Sequence, residues 1–462
     1  MHSLILRFLL LSFLFQGIGL SSWAQIGTST AAPAPQSSAN ALKINLNVVK
    51  YQLKNGLTVL LHVDSSVPMI SFHTWYKVGS RDETEGATGA AHMLEHMMFK
   101  GSKKYSNKDF DRILHENGIT NNAFTTYDYT GFYENLPSSK LELMMQLEVD
   151  RMSDLLLRPE DLLSEREVVK EERRWRIDNN PMGLLRELAM STVFHQHPYR
   201  WPVIGTMKDI SQYEIGTLKK FHDTYYVPNN AVLVLAGDFK INEAKALIDK
   251  YYGPLQARPL PERNYKKEPP QTVQYNANLR QDVQGYSFMV AYQSVPGSHP
   301  EMYALDLAAQ ILGSGNSSRL YKRLVYTKKI ATSAYSWHSN MVDHGVFSVG
   351  VNMKPGIEMK EALDIAYNEI YKLRTTPVTA KELQKAKTQA IKSLVDSLTT
   401  IDGKARMLAS SEISTGSYEN LLTDLEKYNQ VTEKDILKVS QKYFNQTQRS
   451  IVVLEPKKKE SL

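Results

Sequence analysis

Cysteine is absent from all 462 residues. That excludes disulfides, thiolate metal sites, a cysteine nucleophile and a lipoprotein anchor. It agrees with an exported protein that needs no redox handling. Long apolar runs are missing beyond the extreme N-terminus, so no later segment is expected to cross a membrane as a helix. Strong charge of one sign is missing too. The formal net charge is +6 and the pI is near 9.0. Part of the excess is Lys457-Lys458-Lys459, which reads as a solvated end. No nucleic-acid motif stands beside it, so no RNA or DNA partner is expected.

What remains is ordinary globular composition, 42% hydrophobic and 23% charged. The length exceeds one ordinary core and suits two domains with extras. At the N-terminus, Arg7 precedes an almost continuous apolar run from Phe8 to Leu20, and Ser22-Trp23-Ala24 follows. Residues 1–24 read as a cleaved signal peptide, with an uncleaved anchor as the competing reading. The expected location is periplasmic or secreted, with no membrane attachment after signal cleavage. Residues 25–43 are rich in Ala, Pro, Ser, Thr and Gln and read as a flexible leader.

Val48 to His62 has alternating apolar residues around Asn55-Gly56, the signature of a hairpin. Met69 to Val78 reads as a strand, and the Thr- and aromatic-rich stretch 121–134 as another with an exposed or site-facing edge. Helices are expected over 106–117, 141–157 and 158–178. A Pro- and charge-rich stretch from Arg258 to Pro270 marks a linker. The domains are therefore placed at 44–256 and 272–457, joined by 257–271 and followed by a tail, 458–462. The second half replays the first. Asn230 to Leu235 and Arg449 to Leu454 are matched apolar strands, each preceded by a helix and a Tyr-aromatic pair. The offset, roughly 220 residues, is too long for a solenoid and right for a duplicated domain. The expected fold is α+β, with two homologous domains, each a mainly antiparallel β-sheet with helices packed on one face.

One stretch carries chemistry. His92-Met93-Leu94-Glu95-His96 lies in a helical pattern bounded by Thr88, a possible N-cap, and Gly101, a possible C′ glycine. Positions i and i+4 share a helix face, so both imidazoles can reach one ion. Glu95 lies beside that face and can take a proton without being a ligand. By spacing alone the stretch is either a metal site or an amphipathic helix with surface histidines. H-x-x-E-H is the reverse of the H-E-x-x-H pattern. Farther on, Glu165 and Glu172 share a helix face with Val168 and Val169. Glu172 is either a solvated acid or the third ligand that zinc needs, with Glu171 competing. His195 and His197, spaced i, i+2 before Pro198, read as a packed loop. The second half has no such motif, and Met302 to Ala308 stands in its place.

Several landmarks occur in order: Gly89 to Gly101 with its histidines, the strand from Asn122 to Thr126, Glu165 and Glu172 in one acidic helix, His197-Pro198-Tyr199, and Ser317 to Tyr321. Over roughly residues 45–455 the chain resembles the pitrilysin, insulysin and mitochondrial processing peptidase superfamily of inverted zincins, in its short two-domain form. That resemblance implies a zinc endopeptidase. His92, His96 and Glu172 would hold Zn2+, Glu95 would be the base, and Glu165 a supporting acid. Two His and one carboxylate leave a position open for water, whose pKa zinc lowers to about 7. The resemblance further implies that a peptide or unfolded segment binds as an added strand along Asn122, Ala123 and Phe124. Active members carry an Arg and a Tyr in the second half that hold the substrate carbonyl. The matching positions here are Val325 and Thr332, and Arg323 and Tyr335 stand at the wrong spacing. The expected partner is a related subunit without zinc that donates the Arg and Tyr, in a heterodimer, with a homodimer as the other arrangement. The alternative function is a non-catalytic assembly or peptide-binding subunit of the same fold.

Overall fold

The computed structural model describes residues 44–457. The signal peptide, the leader and the tail expected at 1–24, 25–43 and 458–462 lie outside these. Among the described residues, β1 (Val48–Gln52), β2 (Thr58–Val63), β3 (Met69–Tyr76), β4 (Thr120–Thr125), β5 (Thr130–Pro137) and β6 (Ala231–Gly237) form one sheet, in the order β1-β2-β6-β3-β5-β4. Strands β7 (Tyr275–Gln281), β8 (Ser287–Ser294), β9 (Ala331–Asn340), β10 (Gly345–Met353) and β11 (Arg449–Pro456) form a second, in the order β7-β11-β8-β10-β9. Each sheet has one parallel pair, β2 with β6 and β7 with β11, and is otherwise antiparallel. The pattern β2-β6-β3-β5-β4 thus recurs as β7-β11-β8-β10-β9, and β1 is the addition. This is the duplicated α+β architecture that the matched strands imply.

The local chemistry explains the turns. Gly56 takes a φ of +87° between β1 and β2, a left-handed conformation that glycine adopts without a Cβ penalty. The stretch 121–134 is two strands, not one. Thr126 donates its N–H to Tyr129 O at 2.9 Å, and its hydroxyl accepts the Asp128 and Tyr129 N–H groups at 3.1 and 3.0 Å. A threonine that reads as strand by propensity here holds a turn through its side chain.

The helices of the first half are α1 (Ala90–Met97), α2 (Asn107–Glu116), α3 (Leu141–Ser153), α4 (Pro159–Arg173), α5 (Pro181–Val193), α6 (Met207–Gln212), α7 (Ile215–Tyr225) and α8 (Ile241–Tyr252). Those of the second are α9 (Met302–Gly313), α10 (Met359–Thr375), α11 (Ala380–Ser397), α12 (Ile401–Thr415), α13 (Glu419–Gln430) and α14 (Glu433–Tyr443). Each half packs its own helices on one sheet face. In the first, Met93, Leu94, Met145 and Ile248 meet Phe72, Phe132 and Leu235. In the second, Leu305, Leu312, Ile370 and Ile436 meet Phe288, Phe347 and Val349.

The opposite faces are covered by exchange. Helix α12 of the second half lies on β3 and β6, where Ala405, Leu408 and Ala409 meet Leu60, Trp75, Val232 and Val234. Helix α5 of the first half lies on β8 and β11, where Leu185 and Ala189 meet Met289, Val452 and Leu454. Polar pins fix α12 in place. Lys50 pairs with Glu412 at 2.6 Å, Lys404 pairs with Asp64, and the fully buried His73 holds Asp402 at 3.1 Å. The stretch between α8 and β7 has no helix or strand, yet it is not loose. Glu268 accepts the N–H groups of Gln196 and His197 at 2.8 and 2.9 Å, and Arg263 bonds Asp82 at 2.9 Å. Leu408 is fully buried at the exchanged interface. Leu408→Ala is therefore expected to cost about 2–5 kcal/mol, read as a lower urea midpoint at unchanged slope.

Candidate metal centre

Helix α1 begins by close approach. Gly89 has a φ of +87°, and a Cβ there would lie 2.4 Å from Ile204 O and 2.7 Å from Gly205 Cα. Thr88 is not the N-cap. Its N–H donates to Asp209 at 3.1 Å and its hydroxyl to the same carboxylate oxygen at 2.5 Å, so its side chain is spent sideways. The helix end is capped by Glu83, which accepts the N–H groups of Gly89 and Ala91 at 2.7 and 2.9 Å. Burial raises the Glu83 pKa well above the usual carboxylate range, against the pull of those two donors. The helix stops at Met97, short of Gly101.

One turn apart on α1, the His92 and His96 rings have centroids separated by 4.8 Å. Helix α4 crosses α1 and presents Glu165 and Glu172 to it, two turns apart. Glu172 Oε2 lies 3.2 Å from His96 Nε2 and 3.7 Å from His92 Nε2. Donor atoms of His92, His96 and Glu172 all lie within 4.8 Å of one another. Glu171 is exposed and pairs with Arg174. Glu165 Oε2 lies 3.1 Å from His96 Nδ1, and its other oxygen pairs with Lys100. Glu95 is not in the cluster but beside it, and Thr125 Oγ1 donates to its Oε2 at 2.5 Å.

The charges follow from these contacts. Burial, aided by the neighbouring His96, pushes His92 down to about 3, which keeps its ring neutral. Burial also works against charge on His96, but the bonds to Glu165 and Glu172 outweigh it and raise the pKa to about 9. For Glu172, burial is overcome by His96, His92 and Arg176, and the pKa falls to about 2. Burial lifts Glu95 to about 7, with the Thr125 bond opposing. Two ring nitrogens converging on one carboxylate oxygen form the N2O donor set that suits zinc.

The site opens on a free strand edge. Strand β4 ends its sheet, so one side has no partner strand. Counting from the Thr126 to Tyr129 bond, antiparallel alternation turns the main-chain groups of Ala123 outward. The Ala123 N–H donates to Asn122 Oδ1 at 2.8 Å. Ala123 packs on the core face beneath the helices of its own half, whereas Phe124 packs on the α12 face against Trp75 at 4.9 Å.

Comparison with known proteins places this arrangement. Residues 58–207 match the model described as Insulinase (Peptidase family M16), and residues 214–390 match the Peptidase M16 inactive domain. A zinc protease PqqE of Helicobacter pylori is 32% identical over 412 residues, covering 87% of this chain and 92% of that one. The chain belongs to peptidase family M16. A crystal structure of a protease from Helicobacter pylori superposes with a TM-score of 0.85 at 31% identity, over 89% of this chain and all of that one. An uncharacterized zinc protease, YmxG, of Bacillus subtilis is 24% identical over 86% of this chain and 96% of its own length.

The second half of this M16 chain fills the corresponding place differently. On α9, Asp306 Oδ1 lies 2.6 Å from His338 Nδ1, and its Oδ2 accepts the Tyr428 hydroxyl at 2.6 Å. His338 Nε2 lies 2.8 Å from Ser294 Oγ. These polar atoms satisfy one another. Val325 packs against the apolar core, and the Thr332 hydroxyl donates to Asn352 O at 3.2 Å. Tyr335 bonds Met182 Sδ at 3.5 Å, and Arg323 stands 4.0 Å from Glu369. Of the two loop histidines, His197 is buried and accepts the Tyr199 N–H at 3.2 Å, whereas His195 is exposed.

Three residues around the M16 centre were not singled out by the sequence. Arg176 lies 2.9 Å from Glu172 Oε1, Lys100 holds Glu165, and Thr125 holds Glu95. Arg176 follows Glu172 by four positions, so helical spacing was the available signal there, whereas Lys100 lies beyond the end of α1 and reaches Glu165 only through the fold. Nothing local marks Thr125 or Glu83. Removing the Glu83 carboxylate leaves two helix-end donors buried without an acceptor. Glu83→Ala is expected to cost about 1–3 kcal/mol, measured as a denaturation midpoint in metal-free buffer.

Proposed function

We propose that this chain is a zinc-dependent endopeptidase that cleaves peptides or unfolded segments bound as an added strand on β4. The observation that carries this is the convergence of His92, His96 and Glu172 beside Glu95, next to a sheet edge with outward main-chain groups. Its similarity to chains named zinc proteases supports the same reading. A zinc ion on those donors would supply Lewis acidity that acidifies water and polarises an amide carbonyl. Glu95 takes the proton of the attacking water on its carboxylate and passes it to the leaving amine nitrogen. Thr125 holds Glu95 in that position. Glu165 fixes the orientation and tautomer of His96 by accepting from Nδ1, and Arg176 restrains the second oxygen of Glu172. Asn122 releases the Ala123 N–H to the peptide main chain, which then pairs with the edge.

In this reading residues 44–256 carry the chemistry, residues 272–457 support them, and 257–271 join the two. Val325 and Thr332 leave no Arg and Tyr to hold the substrate carbonyl. A related subunit without zinc supplies them in a heterodimer; a homodimer is the other arrangement, and its second copy carries the same Val325 and Thr332 and so brings no such pair. The same observation favours one further reading, a non-catalytic assembly or peptide-binding subunit. Export follows from residues 1–24, with a periplasmic or secreted location. No helix among the described residues is long and apolar enough to cross a membrane.

The two readings separate by experiment. Wild-type protein is expected to carry stoichiometric zinc, and chelation is expected to remove activity and lower the melting temperature. Glu95→Gln should keep zinc and lose about 10²–10⁴-fold in kcat. His92→Ala should lose both. Stoichiometric zinc with no peptide turnover by the wild-type chain, alone or with a related subunit, would remove the peptidase reading, and turnover unchanged in Glu95→Gln would remove Glu95 as the base. Full activity of the purified chain alone, with no gain from a related subunit, would remove the partner.

A further inference from the structure

The edge strand has a second face. Residues of a peptide added to β4 alternate, so every second side chain lies on the face away from the metal centre, beside Phe124 and α12. One cation stands there. Arg406 extends from α12, which covers β3 and β6, outward over β5 and β4. Its guanidinium sits 4.4 Å from the Tyr133 ring centroid and 5.2 Å from that of Phe124. Tyr129 stacks nearby on Trp75 at 5.1 Å. The Arg406 side chain is 34% exposed, and its ion pair with Asp402 Oδ2 is long at 3.6 Å. Asp402 spends its other oxygen on His73 at 3.1 Å. Among the described residues the Arg406 guanidinium makes no polar contact shorter than the 3.6 Å pairing with Asp402. Its planar fork of N–H donors is therefore held by aromatic rings at the rim of the substrate edge and remains open toward it. A guanidinium so placed pairs best with a planar carboxylate.

We propose that Arg406 is a specificity-determining residue that recognises a carboxylate of the bound peptide on the face opposite the metal centre. The carboxylate is an Asp or Glu side chain at an alternate position, or the C-terminus of a short peptide. The sheet separates Arg406 from Glu95, so it selects the substrate and takes no part in the proton transfers. This rests on the peptide lying along β4, as in the reading above.

The test uses the full chain, with Glu95→Gln to halt turnover, and reads peptide affinity by fluorescence anisotropy. The probes are extended decapeptides with Glu, Gln or Lys placed at each position in turn, and each with a C-terminal acid or amide. The expected result is about tenfold tighter binding of Glu over Gln at one or two positions of a single parity, or of acid over amide. In Arg406→Gln that ratio should fall to near one, and in Arg406→Glu the Lys peptide should be preferred. Arg280→Gln, at an exposed arginine elsewhere, should leave the ratio unchanged. Melting curves of each variant report folding. No acid preference at any position in the Arg406-containing chain overturns the proposal without any Arg406 variant. So does a preference that survives Arg406→Gln. An acid preference in binding, with no cleavage by the zinc-loaded chain and its partner, keeps this proposal and removes the peptidase reading. Cleavage without the preference does the reverse.

Discussion

The molecule is organised by one constraint: its central strands are buried on both faces, and a sheet of that kind needs two covers. β6 is buried along its whole length, and so is most of β3. Each half has helices enough for one face of its own sheet. The second face is covered chiefly by one helix from the other half, α12 in one direction and α5 in the other, with Phe194 and Tyr199 packing beside α5. Neither half can bury its sheet alone. The duplication is therefore a mutual dependence in folding, and the segment joining the halves is pinned by Glu268 and Arg263.

The candidate site takes its position from this packing. Helix α1 lies on the face covered by its own half, against α4, and this places a carboxylate beside two imidazoles. On the other side of the same sheet, the exchanged helix brings Arg406 of the second half to the strand whose edge is free. The two faces of one edge are thus furnished by different halves. In the proposed reading, a peptide lying there would meet the His92, His96 and Glu172 cluster on one face and the guanidinium on the other.

The halves share an architecture but differ in what their matching helices hold. In the first, two imidazoles and a carboxylate gather where burial keeps His92 neutral and the neighbouring His96, His92 and Arg176, against burial, keep Glu172 ionised. In the second, Asp306 is satisfied by His338 and Tyr428, and His338 by Ser294. One constellation leaves donors converging on a common point. The other pairs its donors with acceptors and leaves nothing for an ion.

The sequence by itself determined the repeat, the hairpin at Asn55-Gly56, the spacing of His92, Glu95 and His96, and the lack of an Arg and Tyr at Val325 and Thr332. These are local facts, set by period, turn chemistry and residue identity. It also placed Glu165 and Glu172 on one helical face, but left Glu171 open as a rival. Only the tertiary structure turned Glu172 toward the histidines and Glu171 outward, because that choice depends on how α4 crosses α1. It alone replaced Thr88 with Glu83 as the cap, split 121–134 at Thr126, and exchanged α5 and α12 between the halves. Those outcomes rest on contacts between residues far apart in the chain, and no local pattern encodes which of several buried faces will meet.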